Sequence, residues 1–221
     1  MIFPTDVAMT WGFIIHTVLA GFFMVGFLRT AGVRFQASVV GGVAYLLSGA
    51  IASYPSPGHD GKLFVSALLP AALWALVRGM RDGRQAAWGA LAVIVGLAVL
   101  SPHPQLLQYM LLTSGAYALW LALAPTALAP STDSADASVT TPSTTASASP
   151  TSATTFQWKR LALALGAVVV GGAMGAIQYL PVREYVPWSP RAGGKGYDYA
   201  TSFSFPLEET INMYLPQFSG I

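Results

Sequence analysis

Cysteine is absent from this chain. That excludes disulfides and thiolate metal sites, and it leaves the redox compartment open. Charge is almost as scarce. Only 9% of the 221 residues are Asp, Glu, Lys or Arg, against about a quarter in a soluble domain. The basic residues are scattered, so a net charge of +2 gives no nucleic-acid surface. No nucleophile–base triad, P-loop or dinucleotide fingerprint is present. The first thirty residues do not read as a signal peptide: Asp6 stands where a basic n-region would be, and the first apolar run is too long for an h-region.

What the chain has instead is oil. Hydrophobic residues make up 54% and the mean hydropathy is +0.56, which points to a bilayer as solvent. A spanning helix needs about 20 mostly apolar residues. Six runs qualify as expected spans: Val7–Leu28, Gln36–Ser53, Leu63–Val77, Ala86–Leu100, Leu106–Leu123 and Leu161–Leu180. The third and fourth are short, so each is expected to be tilted, re-entrant or broken, and Pro70 sits in the middle of the third. The fold class expected is all-α: a polytopic transmembrane bundle of about six spans with a short helical tail on its outer face.

Loop charges orient it. Arg29 and Arg34, then Arg78, Arg81 and Arg84, then Lys159 and Arg160 fall in alternate loops. Loops 54–62 and 101–105 carry only Lys62 between them. The positive-inside rule places the arginine-rich loops in the cytoplasm. The N-terminus, "YPSPGHDGK", "SPHPQ" and everything after Pro181 then lie outside, with six of the nine acidic residues. Four segments follow: a five-span block 1–124, a linker 125–157, a sixth span 158–181 and an outer-face segment 182–221. In the linker, 15 of the 25 residues from Ser131 to Thr155 are Ser or Thr, a composition expected to be disordered.

Four polar clusters collect on the expected outer face. "GHDGK" carries His59, Asp60 and Lys62, and "SPHPQLLQY" carries His103, Gln105 and Gln108. "AIQYLPVREY" carries Gln178, Arg183 and Glu184, and the tail adds Arg191. A solvated loop explains either histidine alone. The glutamines ask more, because polar groups near the membrane boundary need partners or a wet cavity. Tyr109, Tyr179, Tyr185 and Trp188 read as an interfacial aromatic belt. His59 and Asp60 are the candidate ligands for a divalent cation, a site that would need one more ligand from another loop. In the tail, Pro206 before "LEETINMYL" predicts a short surface helix. Glycines in "GGVAYLLSGA" and "GAVVVGGAMGA" predict close helix–helix faces.

"FIIHTVLAGFFMVGFLRTAGVRFQASVVGGVAYLLSGAI", "GHDGKLFVSALLPAALWAL", "HPQLLQYMLL", "GAIQYLPVREYVPWSPRAG" and "YATSFSFPLEETINMYLPQFSG" occur here in that order. Together they resemble stretches of the YfhO-like bacterial membrane proteins, over nearly the whole chain except the Ser/Thr linker. The resemblance implies a partial glycosyltransferase fold of the GT-C type in the bacterial inner membrane. It implies transfer of a sugar from a polyprenyl-phosphate carrier to an outer-face acceptor. An acidic residue would act as base or metal ligand, here Asp60. The carrier phosphate would be received by His59, Lys62, His103, Gln105, Gln178, Arg183 and Arg191. Family members are longer and carry a first span and a large acidic loop before the region matched here, so a fragment, a split gene product or a reduced homologue is expected. The other reading is a non-catalytic accessory or scaffolding subunit held by other membrane subunits. A transporter has against it that no span contains Asp, Glu, Lys or Arg.

Overall fold

A computed structural model describes residues 4–123, 156–189 and 196–202. Among these, every regular element is helical. The linker 125–157 falls almost wholly outside the described residues, and so does the expected helix after Pro206. The chain divides into two compact units, Met1–Gln178 and Tyr179–Ile221.

In the first unit, α1 spans Thr5–Thr30, α2 Phe35–Leu46, α3 Gly49–Ser53, α4 Asp60–Met80, α5 Ala86–Leu100 and α6 Pro104–Leu123; α7 runs Trp158–Tyr185. Five segments are long and apolar enough to cross a membrane, with α2 and α3 counted together, and α5 is a shorter apolar helix. The protein is a multi-pass helical bundle. In the second unit, α7 ends in a 3-10 turn at Val186–Trp188, and the five-residue α8 covers Tyr197–Thr201.

Side-chain contacts fix the helix directions. His16 meets Phe64 and Gly26 meets Trp74, so α1 and α4 run parallel. Gly21 meets Leu46 and Gly41 meets Leu28, so α2 returns antiparallel to α1. The arginine-rich loops share one end of this unit. Arg160 donates to the Met80 carbonyl, and the Arg81 guanidinium lies 5.6 Å from the Trp120 ring.

Helix α4 is the centre of the packing. It contacts α1, α5 and α6 and is the most buried of the spans. Leu63, Leu76 and Met80 on it are almost inaccessible to solvent. A helix that is apolar all round belongs in such a position.

Of the alternatives expected for the third span, a break does not occur. Helix α4 runs 21 residues through Pro70, which is buried. Proline has no N–H to offer the carbonyl four residues earlier, here that of Ser66. In hydrocarbon that oxygen needs another donor. The Tyr45 hydroxyl on α2 supplies it, donating to the Ser66 carbonyl at 2.8 Å.

The second expected span, by contrast, is interrupted. At Ser48 the backbone leaves the helical region (φ −58°, ψ 145°), and its side chain accepts from the Ile51 N–H at 3.5 Å, starting α3. Serine's competition for local backbone groups accounts for the break. The last helix also passes its expected end, continuing through Pro181 to Tyr185.

Helices α5 and α7 meet at their backbones. A methyl group added at Gly171 would sit 2.5 Å from the Ala92 carbonyl oxygen and 2.7 Å from the Val95 side chain, while one at Gly172 would meet nothing within 4 Å. Gly171→Ala should therefore cost about 1–3 kcal/mol by overpacking, and Gly172→Ala should be close to neutral, as read by thermal unfolding in detergent. Tyr45→Phe should cost about 1 kcal/mol in the native sequence. That cost should shrink in a Pro70→Ala background, where residue 70 can bond Ser66 itself. A double-mutant cycle with additive effects would rule out the carbonyl rescue.

Candidate functional site

The loop from Tyr54 to Gly58 closes on itself. The Gly58 N–H bonds the Pro55 carbonyl at 3.1 Å, and the His59 N–H bonds the Tyr54 carbonyl at 2.9 Å. Gly58 takes φ 72°, a conformation that other residues reach only at a cost. The turn delivers Asp60 as the first residue of α4. His59 is exposed at the cap position and its side chain makes no capping bond.

Asp60 is half-buried. Its Oδ1 accepts from the Gly61 N–H at 2.7 Å, and it lines a cavity of about 270 Å³ between the starts of α1 and α4. Thr5, Met9, Gly12, Phe13 and Phe64 form much of the wall. Lys62 is half-buried and does not pair with Asp60; the ion pair seen among the described residues is Arg78–Asp82 at 2.8 Å.

The structure joins two of the four polar clusters. Ser101 Oγ donates to the Gly61 carbonyl at 3.2 Å, and Pro102 lies against Gly61. The loops 54–62 and 101–105 therefore sit side by side. The residues of the second loop have local duties. His103 Nδ1 accepts from the Leu106 N–H at 3.2 Å and caps α6, whose first residue is Pro104. That bond requires the proton on Nε2. Gln105 is exposed, with its Nε2 donating to the Tyr109 hydroxyl at 2.9 Å.

Gln178 is exposed at the last position of the first unit. Arg183 is exposed in the second unit, and Arg191 lies outside the described residues. No group of three His, Cys, Asp or Glu side chains able to hold a metal occurs among the described residues.

His16 is the residue that the pattern of spans conceals. It sits in α1, about 16 Å of helix rise beyond Thr5. Its ring stacks on Phe64 with centroids 3.8 Å apart and planes inclined by 26°. Its Nδ1 lies 2.8 Å from the Gly12 carbonyl oxygen. A carbonyl only accepts, so Nδ1 carries the proton and Nε2 keeps a lone pair in the neutral ring. Gly12 and Phe64, the two residues His16 touches, both line the Asp60 cavity. An ionisable residue inside an apolar run is the signal that marks it.

The arrangement offers a carboxylate on a cavity wall, an imidazole stacked on another residue of that wall, and a lysine and an exposed histidine next to Asp60 in the chain. It can accept a proton from a hydroxyl, and it can hold an anionic group at the rim. Comparison of the chain with protein-family models, with curated protein sequences and with solved structures finds no match.

The Ser101–Gly61 bond is the tie between the two loops. Ser101→Ala should lower stability by about 1 kcal/mol. It should also speed amide exchange in loops 54–62 and 101–105 together, measured by hydrogen–deuterium exchange. Faster exchange in one loop only would mean that they are not coupled through this bond.

Proposed function

We propose that this chain is a YfhO-like membrane protein of outer-face glycosyl transfer, taking a sugar from a polyprenyl-phosphate-linked donor. Residues 1–221 would supply part of a larger GT-C-type machine. The observation that carries the reading is Asp60 on the wall of the α1–α4 cavity, at the end of the bundle opposite the arginines. By the positive-inside rule that end faces outward from a bacterial inner membrane, where a lipid-linked donor presents its phosphate.

The chemistry assigned to the site is a displacement at the sugar's anomeric carbon. The acceptor hydroxyl gives its proton to the Asp60 carboxylate as its oxygen bonds that carbon. The bond from the anomeric carbon to the phosphate oxygen breaks, and polyprenyl phosphate leaves with the electron pair. Lys62 and His59 stabilise the departing phosphate from the rim. His103 and Gln105 support the loop, with their side chains committed to Leu106 and Tyr109.

One observation favours the accessory-subunit reading. A second cavity of about 450 Å³ lies among α4, α5, α6 and α7, and the Ser114 hydroxyl is buried there without a partner. Small residues at Gly115, Ala118 and Ala162 would admit a neighbouring subunit's helix. A stoichiometric membrane partner on purification in mild detergent, together with no transfer by the chain in any membrane, would favour this reading.

The deciding assay is carrier-dependent sugar transfer by membranes containing the chain. Asp60→Asn should reduce transfer at least about 100-fold, the usual weight of a general base. Lys62→Ala should reduce it about tenfold through one lost charge-assisted contact. Full activity in both variants would remove the site from consideration.

A further inference from the structure

At the arginine-rich end of the first unit, α1, α4 and α5 enclose a cavity of about 740 Å³. Alanines line much of it, Ala71 and Ala75 on α4 and Ala90 on α5, with Phe23, Trp74 and Ile94 as the larger apolar residues. The α4 wall from Ala71 to Arg78 is about 10 Å long. Polar groups stand at one end only: Arg78, Arg84 and the neighbouring Gln85. The chain makes a tight turn to bring them there. Gly83 takes φ 66°, and the Arg84 N–H bonds the Arg78 carbonyl at 3.1 Å.

Two groups at this cavity are left over by the fold. The Arg78 guanidinium is held by Asp82 at 2.8 Å, but that of Arg84 is exposed and has no partner among the described residues. Trp74 also lines the cavity, and its Nε1 is buried without an acceptor. The six-membered edge of the same indole faces Gly26, which puts Nε1 on the opposite side of the ring.

An amphiphile fits this pattern: apolar length in the slot, and anionic oxygen at one end. The surroundings agree in charge. Arg29, Arg34, Arg78, Arg81, Arg84, Lys159 and Arg160 oppose Asp82 alone at this end, seven basic residues against one acidic among the described residues. We infer that this cavity is a binding site for an anionic glycerophospholipid. An acyl chain lies along the alanines, and the phosphate is held by Arg84 and Arg78. Basic pockets between helices at a membrane surface recognise lipid headgroups by this physics.

The test uses the full chain, stripped of lipid in detergent and titrated with phosphatidylglycerol, phosphatidylcholine or inorganic phosphate. Binding is read by thermal unfolding and by native mass spectrometry. Phosphatidylglycerol should raise the unfolding temperature saturably and remain bound at one per chain; the other two should not. Arg84→Gln, on an exposed side chain, and Ala90→Leu, which fills the slot from an exposed position, should each weaken phosphatidylglycerol binding about tenfold. Lipid-free unfolding temperatures near that of the native chain would show that both variants fold. Equal stabilisation by phosphatidylcholine would overturn the inference, and so would inorganic phosphate reproducing the shift alone. Native affinity in Arg84→Gln would overturn it too, even if Ala90→Leu failed to fold.

Discussion

No water reaches a free carbonyl in the hydrocarbon of a bilayer, so every backbone oxygen there must find its donor inside the protein. Pro70 makes this constraint acute, because it denies the Ser66 carbonyl its helical partner in the middle of the most buried span. The Tyr45 hydroxyl meets the need from α2. That bond keeps α4 continuous and also ties α2 to it, although α2 packs mainly on α1. Both polar regions then depend on α4, since Asp60 begins it and Arg78 lies in its last turn. Eighteen residues of helix separate the two by about 27 Å, close to the thickness of the hydrocarbon layer. A break at Pro70 would change that separation and with it the level of each site in the membrane.

This explains which parts of the fold are legible in the sequence. The apolar runs and the alternation of arginine-rich loops depend on composition within short windows, and the helices follow them closely. The continuity of α4 is not legible locally, because its hydrogen-bond donor stands 21 positions earlier on another helix. The break at Ser48 is the converse. A serine hydroxyl competing with the ladder can end a helix even where hydropathy stays high. Close approach of α5 and α7 could be anticipated from the glycine-rich run, but hydropathy does not distinguish Gly171, which faces a backbone, from Gly172, which faces open space.

The site shows the same division. That two loops carried histidine and glutamine was visible in the sequence; what each side chain bonds was not. His103 is committed to a helix N-terminus and Gln105 to a tyrosine one turn on, while Asp60 lines the cavity and His59 is exposed. Pro104 begins α6 without an N–H to satisfy, and His103 before it takes up the Leu106 N–H, so a polar residue at the span boundary is drawn into structural work. His16 escapes a survey of Asp, Glu, Lys and Arg within the spans because histidine is not among the residues counted, and its Nδ1 bonds a carbonyl of its own helix.

The helix dipole of α4 bears differently on its two ends. Its positive N-terminus suits the Asp60 carboxylate and, beside it, an anionic phosphate near Lys62. Its negative C-terminus suits Arg78 but opposes any anion brought there. Such a dipole is worth about 0.3–1 kcal/mol, whereas a hydrogen bond to a charged group contributes about 1.5–3 kcal/mol. Two guanidinium groups therefore outweigh the opposing dipole, and one already shared with a carboxylate would do so only weakly. Arg78 is shared in that way with Asp82, whereas Arg84 is not. Arg84 is accordingly the group on which an anion at that end depends, and Gly83, whose turn brings it beside Arg78, governs that end as Tyr45 governs the middle of the helix.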